Sequence, residues 1–93
     1  MILKVGNFLK IEDSSNHTIF AHVVEQAETP GHLTARDLLS SQMFEVDEAG
    51  TFVFHHDGDK HEVEGLQAFG SEDDEAVASF DSSLLQWLHG RDK

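Results

Sequence analysis

Between Met43 and Glu64, apolar side chains alternate with polar ones, and two turn sequences interrupt the alternation. Period-two alternation is typical of β-strands that bury one face. The segment therefore predicts three short antiparallel strands joined by two tight turns, and we expect the chain to fold around them. The alternating apolar residues are Phe44, Val46, Phe52, Phe54 and Val63.

The two turn sequences set the expected pairing of these strands. Residues 48–50 read Glu-Ala-Gly, which is typical of a three-residue turn that ends on a glycine with positive φ. Residues 57–58 read Asp-Gly, which is typical of a two-residue type I′ turn. In that register Val46 faces Phe52, and all the alternating apolar residues share one face of the sheet.

The chain before this segment predicts a hairpin and a short helix. Residues 2–12 alternate and residues 17–25 are rich in β-branched side chains, which indicates two strands paired across a turn at residues 13–16, with Phe20 opposite Leu9. Both faces of that hairpin are partly apolar, so we expect a helix or a second subunit to cover one of them. Thr34 followed by Asp37 resembles a helix-capping pattern and predicts a short helix there.

The C-terminal segment predicts a helix with two alternative beginnings. If Ser71 is the N-cap, apolar residues recur at helical spacing through Leu88. If residues 75–80 form a last strand instead, Asp81 caps a shorter helix over residues 82–89. Both alternatives end the chain on a helix.

These elements together predict one α+β domain over residues 1–93. The expected order is ββαβββα, an antiparallel sheet of about five strands with two helices packed on one face. A chain of 93 residues has room for one core, and its seven phenylalanines favour a folded protein.

Several classes of protein are excluded by what the sequence lacks. The chain has no cysteine, which excludes disulfides, thiolate metal sites and a cysteine nucleophile. It has no phosphate-binding glycine loop, nucleophile elbow or metalloprotease pattern, so we expect no enzyme, no catalytic residues and no cofactor. It also has no signal-peptide pattern and no long apolar run, which predicts a cytoplasmic protein that does not enter the membrane.

The formal net charge is −12, from 18 acidic and 6 basic residues. Direct binding to nucleic acid is therefore not expected, because it needs clusters of lysine and arginine. Anionic membrane surfaces are disfavoured for the same reason. The charge favours a basic partner, and its alternative explanation is solubility or adaptation to a salty cytoplasm.

The acidic residues are concentrated between positions 57 and 75, where Lys60 is the one fixed positive charge. We expect them to form a single negative ridge that presents carboxylates where a nucleic acid presents phosphates, and that is attracted to a basic groove. The candidate partner-binding residues are Asp57, Asp59, Glu62, Glu64, Glu72, Asp73, Asp74 and Glu75.

This ridge leads to the main functional hypothesis. The chain would be a small acidic inhibitor or decoy that occupies the nucleic-acid-binding surface of a basic protein. Phage or mobile-element proteins of the anti-restriction and anti-CRISPR type, and nuclease-immunity proteins, share this general build: small, acidic DNA mimics without catalytic motifs.

Two alternatives remain open from the sequence. The first is an accessory subunit that forms a homodimer or joins an assembly, because the first hairpin is apolar on both faces. Phe8 and Trp87 are also aromatic side chains of the kind found at interfaces. The weaker alternative is a metal site, because His56, Asp59 and His61 share a face in the expected register and are ligand types that zinc accepts.

Overall fold

The structure, a computed structural model, describes residues 2–55 and 58–91. In this part of the chain six antiparallel strands close into a barrel, and one helix follows them. Each strand pairs with the next along the chain, and the last pairs with the first. The strands are β1 (Phe8–Asp13), β2 (Thr18–Gln26), β3 (His32–Asp37), β4 (Met43–Asp47), β5 (Phe52–Phe54) and β6 (Lys60–Phe69), and the helix α1 is Asp74–Arg91.

The predicted α+β class, an open sheet with two helices on one face, is wrong, because the described residues form a mostly β closed barrel with a C-terminal helix. The segment predicted as a helix from Thr34 is β3 instead. Leu33 and Ala35 are buried there while Arg36 is exposed, which is the alternation of a strand. A helix of about two turns has little stability of its own. As a strand, the segment gains ladders with both β2 and β4.

The barrel interior holds the main core. One row of inward-facing apolar side chains comes from each strand, and among the described residues each strand pairs with a neighbour on both sides. The fully or nearly fully buried members of this core are Leu3, Leu9, Ile11, Ile19, Ala21, Val23, Leu33, Ala35, Phe44, Val46 and Val53.

The pairing of β4 with β5 differs by one residue from the pairing expected from the turn sequence. Val46 lies opposite Val53 rather than Phe52. The cause is Asp47, whose Oδ1 accepts hydrogen bonds from the N–H groups of Thr51 and Phe52, both at 2.7 Å. These bonds place Thr51 in the turn, so the loop is one residue longer than predicted. A one-residue shift exchanges the two faces of a strand, so Val53 is buried.

The other two hairpins differ from expectation in the same direction. In the first, Leu9 lies opposite Ala21, so the neighbouring Phe20 points out of the barrel. In the last, the N–H of His55 donates to the carbonyl of Asp59 at 2.9 Å, which makes a longer connection than the predicted Asp-Gly turn. Residues 56 and 57 of that connection lie outside the described part of the chain.

Helix α1 confirms the longer of the two predicted alternatives, and the predicted strand at 75–80 is wrong. Its N-cap is Asp73 rather than Ser71, because Oδ1 of Asp73 accepts hydrogen bonds from the N–H groups of Glu75 at 3.0 Å and Ala76 at 3.3 Å.

No helix in the described residues combines the length and apolar character needed to cross a membrane.

Helix α1 covers the outside of the barrel over β1, β2 and β6. Phe80 is 1% exposed, and its ring centroid lies 5.1 Å from Phe8, 5.5 Å from Phe69 and 5.9 Å from Phe20. Trp87 extends this cluster at 5.6 Å from Phe20. The second apolar face of the first hairpin, which suggested a dimer, is therefore covered within one chain.

Candidate metal centre

Asp13, His55 and His61 come together at one end of the barrel, where each continues an inward-facing row of side chains. Asp13 follows Ile11 by two positions on β1, and His55 follows Val53 by two positions at the end of β5. His61 lies directly opposite Val53 on β6. One potential ligand atom from each of the three residues lies within 4.8 Å of the others.

The Asp13 carboxylate is fully buried, and its two oxygens have different surroundings. Oδ1 accepts hydrogen bonds from the N–H groups of Ser15 at 2.9 Å and His17 at 3.1 Å, which shape the β1–β2 turn. Oδ2 faces Nε2 of His55 at 3.5 Å and Nδ1 of His17 at 3.8 Å. One oxygen therefore holds the turn, and the other is directed at imidazoles.

Asp13 is charged at neutral pH. Burial raises the pKa of its carboxyl, but the hydrogen bonds from the backbone of His17 and Ser15, the contact with the His55 side chain and the charge of His17 more than offset this. The pKa of Asp13 therefore lies below its usual 3.8. A negative oxygen buried at the barrel end favours a cation beside it.

The distance between Asp13 and His55 is long for a direct hydrogen bond and is compatible with a shared cation. Charged N–H···O bonds are about 2.7–2.9 Å long, whereas Nε2 of His55 and Oδ2 of Asp13 are 3.5 Å apart. Ligand atoms at about 2.0–2.1 Å from a tetrahedral zinc ion lie about 3.3 Å from each other. The observed separation is close to that edge length.

His61 is held by a hydrogen bond of the kind that orients metal ligands. Its Nδ1 lies 2.8 Å from Oγ of Ser15, and its ring meets the ring of His55 edge to face at 4.5 Å between centroids. Histidine ligands commonly donate their second ring N–H to an outer partner, which fixes the tautomer. Coordination of a metal by Nε2 of His61 requires the tautomer in which Nδ1 carries the proton and donates to Oγ of Ser15.

Two imidazoles and a carboxylate oxygen form a donor set suited to zinc and neighbouring transition metals. Calcium and magnesium prefer oxygen ligands throughout, so this set disfavours them. Since the chain has no cysteine, imidazole nitrogen is the softest strong donor that it offers.

The predicted metal candidates fall only partly on this cluster. His61 belongs to it, Asp59 is exposed and outside it, and His56 lies outside the described residues. His55 replaces His56 because the strand register differs by one residue, which turns His55 inward. Asp13 belongs to the predicted turn at residues 13–16, although its position two residues after Ile11 on an alternating strand is a signal that it points inward.

The acidic residues on β6 lie outside the barrel at the same end as the cluster. Glu62 and Glu64 are exposed, and Glu64 lies beside Glu12 of β1, which is opposite Gly65. Lys60 precedes them with its Nζ 3.8 Å from the ring centroid of Phe52. This face of the barrel, defined by Glu12, Glu62 and Glu64, is called the β6 acidic face below.

The remaining predicted partner-binding residues lie elsewhere. Glu72, Asp74 and Glu75 are exposed around the start of α1, and Asp73 is the cap of that helix. Phe69 is the last residue of β6 and lies five residues after Glu64. Because a strand rises about 3.3 Å per residue, about 16 Å of strand separate Glu64 from the segment that leads to α1. The acidic residues thus form two groups rather than one ridge, and Asp57 lies outside the described residues.

No family model matches the chain, and no curated protein or solved structure is detectably similar to it. The geometry of the cluster is therefore the main basis for a functional proposal.

Proposed function

We propose that this protein binds a divalent transition-metal ion, with Zn²⁺ as the best match, at one end of its barrel. The ligands are Oδ2 of Asp13, Nε2 of His55 and Nε2 of His61. The observation that supports this most directly is the convergence of a buried, ionised carboxylate and two imidazoles within 4.8 Å.

The electrostatics of the site favour a bound cation. A buried carboxylate is unfavourable unless it is compensated by hydrogen bonds and positive charge. The ion pairs of Asp13 within the described residues are with His17 and His55, which are charged only when protonated. A metal ion would supply the missing charge while the imidazoles stay neutral, and a net charge of −12 raises the cation concentration around the protein.

The test is titration of the full chain, purified without a histidine tag, with Zn²⁺ in a calorimeter. We expect saturable binding of one ion per chain. His55→Ala, His61→Ala and Asp13→Asn should each weaken it by at least about tenfold, since even outer-shell changes at metal sites cost 10–100-fold. Asparagine at position 13 removes the charge but keeps an oxygen that can accept the turn hydrogen bonds.

His32 provides the matched control. It is the first residue of β3, its ring stacks on Phe54 at 4.7 Å between centroids, and its Nδ1 lies 3.0 Å from Oε2 of Glu45, so it is also an imidazole beside a carboxylate. His32→Ala should leave zinc affinity unchanged. Absence of saturable binding by the unmodified chain, or equal loss in His32→Ala and His55→Ala, would contradict the proposal.

A second candidate function is capture of a basic partner by the β6 acidic face, which keeps the inhibitor or decoy hypothesis as a proposal. Glu12, Glu62 and Glu64 are exposed, and none of them forms an ion pair with lysine or arginine in the described part of the chain. Unpaired carboxylates on one face create a negative potential that accelerates association with a basic surface and is weakened by salt.

Charge reversal separates this second function from simple solubility. The variant Glu62→Lys with Glu64→Lys should lose binding to a panel of purified basic DNA-binding proteins, measured in competition with double-stranded DNA at low and high salt. Glu25→Lys with Glu28→Lys changes the same net charge at other exposed positions and serves as the control. Equal effects of the two double variants would show that only net charge matters and would remove this candidate.

A further inference from the structure

His17 lies beside the proposed metal centre, on the other side of the β1–β2 turn. The N–H of Asp13 donates to the carbonyl of His17 at 3.1 Å, and the N–H of His17 donates to Oδ1 of Asp13 at 3.1 Å. The two residues are therefore opposite each other in the hairpin, and such pairs project their side chains from the same face. Nδ1 of His17 is 3.8 Å from Oδ2 of Asp13, the same oxygen that His55 approaches.

This contact is too long for a hydrogen bond but close to the spacing of metal ligands. The 3.8 Å separation between Nδ1 of His17 and Oδ2 of Asp13 exceeds the usual upper limit of about 3.2 Å for N–H···O bonds. It exceeds the edge of a zinc tetrahedron by about half an ångström. The His17 side chain is 67% exposed. It is not part of the group whose ligand atoms lie within 4.8 Å of one another, so its ring must turn toward His55 and His61 to reach a shared ion.

We propose that His17 is the fourth ligand, so that the ion is enclosed by three imidazoles and one carboxylate. The inference rests on the proposed function, since it concerns the same ion. A site with four protein ligands is of the structural type, whereas catalytic zinc sites keep one position for water or substrate. With His17 as the fourth ligand, protein side chains fill all four coordination positions. The ion would therefore stabilise the barrel and have no open position for a substrate.

The ion would join three segments where the barrel is least supported. β5 has only three residues, and its ladders comprise two residue pairs with β4 and three with β6. The β1–β6 ladder shifts register between Glu12 and Asp13. An ion held by the β1–β2 turn, by His55 after β5 and by His61 on β6 connects these weak points directly.

The first test uses Co²⁺ as the probe on the full chain. Tetrahedral Co²⁺ absorbs visible light much more strongly than five- or six-coordinate Co²⁺. We expect a tetrahedral spectrum that azide does not change, because no position is open to it. His17→Ala should bind Co²⁺ about 10–100-fold more weakly, and azide should change its spectrum. The control His32→Ala should match the unmodified chain in both affinity and spectrum.

The second test gives a signal only if position 17 touches the ion. The chain has no cysteine, so His17→Cys introduces a single thiol. A thiolate bound to Co²⁺ gives a charge-transfer band in the near ultraviolet, and we expect that band at one equivalent of metal.

The outcomes separate this inference from the proposed function. If His17→Ala keeps the affinity and spectrum of the unmodified chain, or His17→Cys gives no charge-transfer band, His17 is not a ligand and the three-ligand site stands. If azide changes the Co²⁺ spectrum of the unmodified chain, the site is open and the inference is overturned. If the unmodified chain binds neither Zn²⁺ nor Co²⁺, the proposed function fails and this inference fails with it.

Discussion

Val53 lies directly opposite Val46 across β4 and β5, and both side chains are fully buried in the barrel. Because side chains alternate along a strand, this pairing also turns His55 inward, two residues after Val53. His61, opposite Val53 on β6, has the same orientation. One strand register therefore fills the core and brings both histidines to Asp13.

The first prediction concerns Val53 itself. Val53→Thr keeps the shape of the side chain but places a hydroxyl in the apolar interior, which should lower the free energy of unfolding by about 1–3 kcal/mol. Val5→Thr, at a position that is 48% exposed, is the matched control and should change it little. Urea unfolding measures both, and equal effects would show that Val53 does not face the core.

The strands could largely be predicted from the sequence, whereas their register could not. Alternation located the strands of the first hairpin and of segment 43–64, but turn composition alone gave each loop one residue too few. The clearest cause is Asp47, whose side chain caps the N–H groups of Thr51 and Phe52 and lengthens the turn. Such a side-chain bond depends on three-dimensional contacts that a turn motif does not reveal.

The closure of the barrel was missed for a related reason. The capping pattern at Thr34 is a local signal for a helix, while the burial of Leu33 and Ala35 depends on pairing with β2 and β4. With the segment from Thr34 taken as a helix, no strand joins β2 to β4, so the sequence predicts an open sheet and the α+β class. Non-local pairing outweighed local propensity here.

The errors in the predicted candidate site arose from the error in strand register. His61 is one of the candidates that the expected register places on a shared face, but the one-residue error in that register exchanges His55 for His56. Asp13 belongs to a turn in sequence and to the core in space, because the inward row of β1 continues past Ile11. A search of the sequence for inward-facing polar residues at strand ends would have found it only with the correct register.

The second prediction concerns the contact between α1 and the barrel. Phe80 is 1% exposed and touches three other phenylalanine rings, so Phe80→Ala should lower the free energy of unfolding by about 3–5 kcal/mol. Leu85→Ala on the same helix removes a side chain that is 57% exposed and should have a small effect. The fluorescence of Trp87, the one tryptophan of the chain, reports whether α1 stays docked.

The third prediction concerns pH and the β4–β5 turn. Burial raises the pKa of Asp47, but hydrogen bonds from the Thr51 side chain and from the backbone of Phe52 and Thr51, with the charge of His32, outweigh it and hold the pKa below its usual 3.8. A lowered pKa means that the stabilisation by Asp47 is complete above about pH 5 and is lost as the pH falls through the folded-state value.

Asp47→Asn should therefore be less stable than the unmodified chain by about 1–2 kcal/mol at pH 7, since hydrogen bonds to charged groups contribute about that much. The difference should shrink as the pH is lowered below about 4. Urea unfolding between pH 2.5 and 7 measures it, with the exposed Glu25→Gln as the control. A difference that does not change with pH would show that the charge of Asp47 does not stabilise the turn.

The fourth prediction concerns the effect of zinc on the stability of the whole barrel. An ion that binds only the folded chain stabilises it by about 2.7 kcal/mol when its free concentration is 100 times the dissociation constant. For a chain of this size, about 4–8 °C of melting temperature corresponds to 1 kcal/mol, so Zn²⁺ should raise the melting temperature by roughly 10–20 °C.

The same experiment distinguishes binding at the cluster from adhesion to exposed carboxylates. Magnesium should have little effect, a chelator should reverse the zinc effect, and Asp13→Asn should reduce it by about half or more. Glu62→Gln with Glu64→Gln should retain it, because these carboxylates lie outside the barrel while Asp13 lies within it. A zinc-induced shift that survives in Asp13→Asn but disappears in the double variant would place the ion on the β6 acidic face instead.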